Sequence, residues 1–287
     1  MLSIGFIGTG IMGSAMARNL KKQGYAIYIY NRSKARAEDM IAEGFIWCDS
    51  VAECAAGRDA VITIVGYPKD VEEVYFGSGG IIENATPGSC IIDMTTTSPK
   101  LAKRIYEAAS LRGLFALDAP VTGGDGGARN GTLSIMVGGD REAFDRCLPL
   151  FEAMGKTITY QGAAGNGQHV KMTNQIIIAG TISGVCEAMV YARAQGLDME
   201  SVIATVSGGS ASSHQLKVLA PKMVAGDFAP GFFIKHFIKD MTLAQEEAVD
   251  AGLDLKVLGM VRDMYQALAE QGMGDDGTQK LISYYEK

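Results

Sequence analysis

The sequence predicts an α/β domain built on a doubly wound, mostly parallel sheet, followed by an all-α domain. Three observations carry this. From the start to about residue 160, short apolar runs rich in β-formers alternate with amphipathic stretches, the pattern of βαβ units. From about residue 166 to the end, helical periodicity continues without a convincing strand. A glycine-rich joint, Gly162-Ala-Ala-Gly-Asn-Gly167, stands where the pattern changes. The expected units are therefore 1–163 and 164–287, the second beginning with a long interdomain helix.

The elements follow in order. Leu2–Gly8, Tyr25–Tyr30, Ala60–Val65, Cys90–Met94, Phe115–Ala119 and Leu133–Val137 read as strands. Helix-like segments lie around 12–23, 34–43, 69–75, 98–112 and 141–153. In the second half, breaks fall near Gly196, Gly208-Gly209, Asp227–Gly231, Gly252 and Gly272. The run from Met1 to Gly10 is apolar but has no basic leader or small-residue cleavage site, so it reads as a strand and not a signal peptide. The least charged stretch, Lys171 to Glu187, falls short of the ~20 residues of a membrane span and is interrupted by Gly180, Thr181, Ser183 and Gly184. It reads as a buried helix, and its two glycines suit close helix contact between subunits of a homodimer or homotetramer.

Composition narrows the function classes. A 47% hydrophobic chain of 287 residues can bury a sizeable core, and a net charge of −6 from 26 basic and 32 acidic residues offers no basic footprint for nucleic acid or a membrane surface. Cys48, Cys54, Cys90, Cys147 and Cys186 are odd in number and widely spaced, which fits a reducing, cytoplasmic setting. They form no metal cluster with His169, His214 and His236, for which structural roles are expected and no metal is assigned.

Gly8-Thr9-Gly10-Ile11-Met12-Gly13 follows a strand and opens a helix, the context in which G-x-G-x-x-G becomes a dinucleotide-binding fingerprint. The first glycine allows the tight turn, the second lets backbone approach a pyrophosphate, and the third lets helix and strand pack closely. Free N–H groups at the helix start then face the phosphates. Where NAD-binding chains carry an acidic residue for the ribose 2′-hydroxyl, this one has Asn31-Arg32-Ser33. No carboxylate there would repel a 2′-phosphate, and the Arg32 guanidinium could bind it with help from Ser33 and Lys34 or Arg36. NADP(H) is the expected cofactor, with NAD possible.

Three further motifs follow. They are Asp118-Ala-Pro-Val-Thr-Gly-Gly124 with Gly131-Thr-Leu133, Gly165-Asn-Gly-Gln-His-Val-Lys171-Met-Thr-Asn174-Gln175, and Lys239-Asp240 with Leu243-Ala244. With the fingerprint, they make the chain resemble the β-hydroxyacid dehydrogenase family, which contains 3-hydroxyisobutyrate dehydrogenases and tartronate, glyoxylate and succinic semialdehyde reductases. The resemblance spans nearly the whole length. It implies a Rossmann domain joined by a long helix to a helical domain, an active site in the cleft between them, and hydride transfer between NADP(H) and a small β-hydroxy acid, semialdehyde or 2-oxo acid.

By the same resemblance Lys171 is the general acid/base, since hydride delivery to a carbonyl leaves charge on oxygen that a positioned proton donor must meet. Asn174 and Gln175, three and four residues on, share its helix face. The family more often places asparagine at the fourth position, so either amide can be the working one. Thr122, Gly123 and Gly124 would hold the substrate carboxylate through a hydroxyl and exposed backbone N–H groups; the family usually has serine where Thr122 stands. Thr96, or its neighbours Thr95 and Thr97, matches a substrate- and cofactor-side position, although Ser98-Pro99 also reads as a helix start. Lys239 would close over the nicotinamide end, Asp240 would orient Lys171 or Lys239, and Phe232 would wall the substrate pocket or simply pack in the core. Two other readings of the chain are an imine reductase of the same architecture, against which Lys171 argues, and a module that binds NADPH without turnover.

Overall fold

A computed structural model describes residues 2–286. One compact unit ends at Lys171 and a second begins at Met172.

The first unit holds nine strands: β1 Ser3–Ile7, β2 Ala26–Tyr30, β3 Ile46–Trp47, β4 Ala60–Thr63, β5 Cys90–Asp93, β6 Phe115–Asp118, β7 Val121–Thr122, β8 Leu133–Gly139 and β9 Gly155–Tyr160. The path runs β3-β2-β1-β4-β5-β6-β8-β7, with β9 paired to β8. From β3 to β6 every pairing is parallel; β8 runs antiparallel to both β6 and β7. Residues of one strand alternate between two cores. Phe6, Ile62, Ile92 and Leu117 face one, and Ile7, Val61, Ile91 and Ala116 the other. A sheet buried on both faces is what unbroken apolar strands joined by crossover helices require.

Those helices are α1 Ile11–Lys22, α2 Glu38–Ala42, α3 Val51–Ala55, α4 Pro68–Phe76, α5 Ile81–Asn84, α6 Pro99–Leu111, α7 Gly124–Asn130 and α8 Arg141–Met154. The six expected strands and five helical segments are all present, with ends moved by a few residues except around 34–43, where a 3-10 turn precedes the short α2. Strands β3, β7 and β9 and helices α3, α5 and α7 are additional to the sequence reading.

Helix α9 spans Asn166–Ala194. Its opening turns belong to the first compact unit, which therefore extends beyond the glycine-rich joint. The second unit is otherwise helical: α10 Met199–Val206, α11 Ala220–Ala225, α12 Ile234–Asp250, α13 Lys256–Leu268 and α14 Ile282–Tyr285. Its core gathers Ala179, Ile182, Cys186 and Met189 of α9 with Phe237 and Met241 of α12 and Val261 and Tyr265 of α13. Among the described residues, α9 is one helix long and apolar enough to cross a membrane by length and composition. The length argument against a span thus fails, and the placement of these α9 residues in the second unit's core replaces it as the reason to read a core helix.

Candidate functional site

The fingerprint loop links β1 to α1, and each glycine has a separate physical reason to be there. Gly8 has φ +100°, and a Cβ on it would lie 2.1 Å from the Ile64 carbonyl oxygen. A Cβ on Gly13 would lie 1.9 Å from the Gly8 oxygen, so α1 can approach the turn only without a side chain at that point. Gly10 has open space where its side chain would be. It is the N-cap of α1 and supplies no side-chain cap, so the first N–H groups of Ile11, Met12 and Gly13 are left for a ligand. Thr9 Oγ1 is buried and makes no hydrogen bond within the protein. An open backbone approach and an orphaned hydroxyl fit a dinucleotide phosphate.

At the end of β2, Asn31 braces this loop. Its Oδ1 accepts from Thr9 N–H at 3.4 Å and its Nδ2 donates to the Ser33 carbonyl at 2.9 Å. Arg32 is exposed but has company: its Nη1 lies 3.3 Å from Asp70 Oδ1. The absence of a carboxylate, which held for the local sequence, therefore does not hold in space, because α4 brings Asp70 to Arg32 from 38 residues away.

The β5 end supplies the threonines. Thr95 is buried, its N–H donating to Asp93 Oδ1 at 3.1 Å and its hydroxyl accepting from Val65 N–H at 3.0 Å. Thr97 is buried with its N–H on Gln168 Oε1. Thr96 is the partly exposed member of the three. The Ser98 hydroxyl caps α6 by accepting from Lys100 N–H.

Asp118, at the end of β6, anchors the start of α9. Its two oxygens accept from Gly165 N–H at 2.7 Å and Gln168 N–H at 2.9 Å, while Gln168 Nε2 donates to the Thr95 carbonyl at 2.7 Å. A Cβ on Gly167 would lie 2.4 Å from the Met136 oxygen, so this helix start sits directly on the sheet. One turn on from Gly167, the buried Lys171 donates from Nζ to the Val121 carbonyl at 2.9 Å. The next residues are Thr122, half-buried, and the exposed Gly123 and Gly124, both at positive φ (132° and 63°). The first unit thus brings Lys171 to the Thr122-Gly123-Gly124 segment. The local sequence flagged Asp118 and Gln168 only as members of motifs, with no role for either.

Burial pushes the Asp118 carboxyl up to about 6 against the opposing backbone N–H groups of Gly165 and Gln168, with Asp93 adding to the rise. A carboxyl that binds its proton more tightly folded than unfolded favours folding below about pH 4, and this advantage is lost as pH rises from about 4 to about 6. The loss amounts to about 3 kcal/mol. Asp118→Asn cannot titrate. In chemical denaturation the stability of wild type relative to this variant is expected to fall by about 2 kcal/mol between pH 4.5 and 7, the part of the loss that lies in that window; a difference independent of pH would contradict the assignment.

In the second unit a polar chain runs through the interior. Asn174 Nδ2 donates to Gln175 Oε1 at 2.6 Å, Gln175 Nε2 to Asp240 Oδ2 at 2.7 Å, and Lys239 Nζ pairs with Asp240 Oδ1 at 3.0 Å. Gln175 is the buried amide, and Asp240 is its partner and that of Lys239. Phe232 packs on Phe237, ring centres 5.7 Å apart, at the edge of the core. All five cysteines are buried and unbridged, and no cluster of three potential metal ligands occurs among the described residues.

Comparison with known proteins agrees with this layout. Residues 3–162 match the NAD-binding domain of 6-phosphogluconate dehydrogenase, and residues 165–285 match the NAD-binding family of NADP-dependent 3-hydroxyisobutyrate dehydrogenase. The chain is 52% identical to the Bacillus subtilis oxidoreductase YkwC, covering 99% of each. It is 38% identical to the 2-hydroxy-3-oxopropionate reductase of Escherichia coli over 94% of this chain and 92% of that one. It is 34% identical to an NAD-dependent L-serine dehydrogenase of Pseudomonas aeruginosa, covering 96% and 95%. Among solved structures, the 3-hydroxyisobutyrate dehydrogenase of Mycobacterium tuberculosis with L-serine superposes with a TM-score of 0.92 at 29% identity over the whole of both chains.

Proposed function

The chain belongs to the β-hydroxyacid dehydrogenase family, oxidoreductases of hydroxy acids that bind a pyridine dinucleotide, and we propose that it reduces a small aldehyde or 2-oxo acid bearing a carboxylate, using NADPH. One observation carries the reading: a buried lysine amine held 2.9 Å from the carbonyl of Val121, immediately before the half-buried Thr122 and the exposed Gly123-Gly124 backbone. Glyoxylate, succinic semialdehyde and tartronate semialdehyde are the substrates of the right chemistry.

The dinucleotide, when bound, supplies the hydride. The N–H groups of Ile11, Met12 and Gly13 and the Thr9 hydroxyl would hold its phosphates, with Gly8 and Gly10 shaping the turn, and Arg32 with Ser33 would receive the 2′-phosphate. Thr122 and the backbone of Gly123 and Gly124 orient the substrate carboxylate. As the substrate carbonyl carbon becomes a C–H centre, Lys171 Nζ gives its proton to the oxygen and the hydroxy acid forms; in oxidation the same amine takes that proton back. The Val121 carbonyl fixes the amine in place, and the Asp118 and Gln168 bonds fix the helix start that carries it. Thr96 and Lys239 serve the cofactor side. Gln175 holds Asp240, and Asp240 holds Lys239.

The test is a panel of small semialdehydes, 2-oxo acids and hydroxy acids, with cyclic imines as a separate arm, followed by nicotinamide absorbance with both cofactors. Turnover of a carboxylated aldehyde or 2-oxo acid with NADPH is expected. Turnover of imines alone, or of no compound, would overturn the reading.

A further inference from the structure

We propose that Asp70 is a cofactor-specificity residue, its carboxylate drawing on the charge of Arg32 and leaving the site less selective for NADPH over NADH than its Asn31-Arg32-Ser33 sequence implies. The inference rests on the assignment of Arg32 to the 2′-phosphate.

The two oxygens of Asp70 do different things. Asp70 is the third residue of α4, and its Oδ2 accepts from the Tyr67 N–H at 3.0 Å, closing a capping box at the helix start. A Cβ on Gly66 would come within 3.1 Å of the same oxygen, so backbone encloses the carboxylate on that side. The Asp70 side chain is 12% exposed and has little room to turn away. Its other oxygen, Oδ1, points at Arg32 Nη1, 3.3 Å off, on a guanidinium that is 81% exposed.

A guanidinium presents several N–H donors in one plane and can face two anions at once. A phosphate monoester on Arg32 would carry a charge of about −1.5 to −2 and share the guanidinium with a carboxylate that cannot retreat. The two anions would then lie roughly 5–7 Å apart, a separation at which repulsion survives partial screening by solvent and salt. The 2′-hydroxyl of NADH brings no such charge and incurs no such cost. Nearby cations do not cancel Asp70: Arg36 is exposed, and Lys34 Nζ sits over the Trp47 ring, 5.2 Å from its centre. Asp70 therefore acts against the dinucleotide that Arg32 favours.

The experiment is isothermal titration of the full chain with NADPH and with NADH. Asp70→Asn keeps the volume and an oxygen for the Tyr67 N–H while removing the charge. It is expected to tighten NADPH by about threefold to tenfold and to leave NADH within about twofold, so the selectivity ratio rises. Asp70→Ser, an uncharged side chain that can also cap, must move the ratio the same way if the amide variant folds poorly. An unchanged or lowered ratio in the folded variants overturns the inference. Arg32→Ala separates this from the cofactor assignment. If it weakens NADPH at least tenfold and the Asp70 variants leave the ratio unmoved, only the role of Asp70 falls. If it leaves NADPH unchanged, the 2′-phosphate assignment and the inference fall together.

Discussion

Replacing Lys171 with alanine is expected to lower kcat by about a hundredfold to ten-thousandfold while leaving NADPH affinity within about twofold. Lys171 Nζ donates to the Val121 carbonyl, and the backbone of α9 before it is tied to the sheet by Asp118 and Gln168. None of those contacts involves the fingerprint loop, so alanine removes the proton donor and leaves phosphate binding alone. A loss confined to kcat, with KM little changed, marks a group that acts as charge develops on the oxygen. Lys171→Arg should not rescue turnover, because a guanidinium keeps the charge but does not give up its proton. Steady-state kinetics on the best substrate, with NADPH titrations of both variants, checks this. Retention of most of kcat by Lys171→Ala would remove it from the chemistry.

The second large effect contrasts two glycines two residues apart. Gly8→Ala would put a Cβ 2.1 Å from a backbone oxygen in a residue held at φ +100°. Strain at such a φ costs about 1–2 kcal/mol, and the overlap cannot be relieved by a side-chain rotation. A total of about 3–5 kcal/mol is expected, lowering the melting temperature by about 10 °C and abolishing cofactor binding. Gly10→Ala meets no atom within 4 Å and has φ near −69°. It should melt as wild type does yet bind NADPH at least tenfold more weakly, because its methyl occupies the space a pyrophosphate needs. Thermal unfolding with and without NADPH reads both. If both variants lost stability equally, Gly10 would be a packing residue and not an approach point for the ligand.

Much of the fold was legible because strands buried on both faces announce themselves. Ala60–Thr63 and Cys90–Asp93 are unbroken apolar or buried runs flanked by turn residues. Strand β9 was not, since Gly155–Tyr160 opens on glycine, lysine and threonine, has few apolar residues and follows α8 without a turn. Helix α7 defeats propensity altogether. Its sequence, Gly-Asp-Gly-Gly-Ala-Arg-Asn, reads as a loop, and the helix is held by packing of Ala128 in the core and by Asn19 Nδ2 on the Ala128 carbonyl.

At the site, motifs close in sequence were readable and partnerships distant in sequence were not. The fingerprint glycines stand where their spacing put them. Gln175 donates to Asp240, 65 positions away, a partnership that spacing along one helix could not give. The Arg32–Asp70 pair, the anchoring of α9 by Asp118 and the bond from Gln168 to the Thr95 carbonyl join residues 38, 47 or 50, and 73 positions apart. Only the β-strand order brings them together.

In the proposed reaction a hydride passes to a small carboxylated carbonyl while Lys171 supplies the proton. Its most direct measurement uses NADPH carrying deuterium at the transferable nicotinamide position, with the product hydroxy acid read by mass spectrometry. Wild type should place one deuterium at the new C–H centre, and Lys171→Ala, binding the same cofactor, should form almost no labelled product. Unlabelled product from wild type, or labelled product from the variant at the wild-type rate, would contradict this reaction.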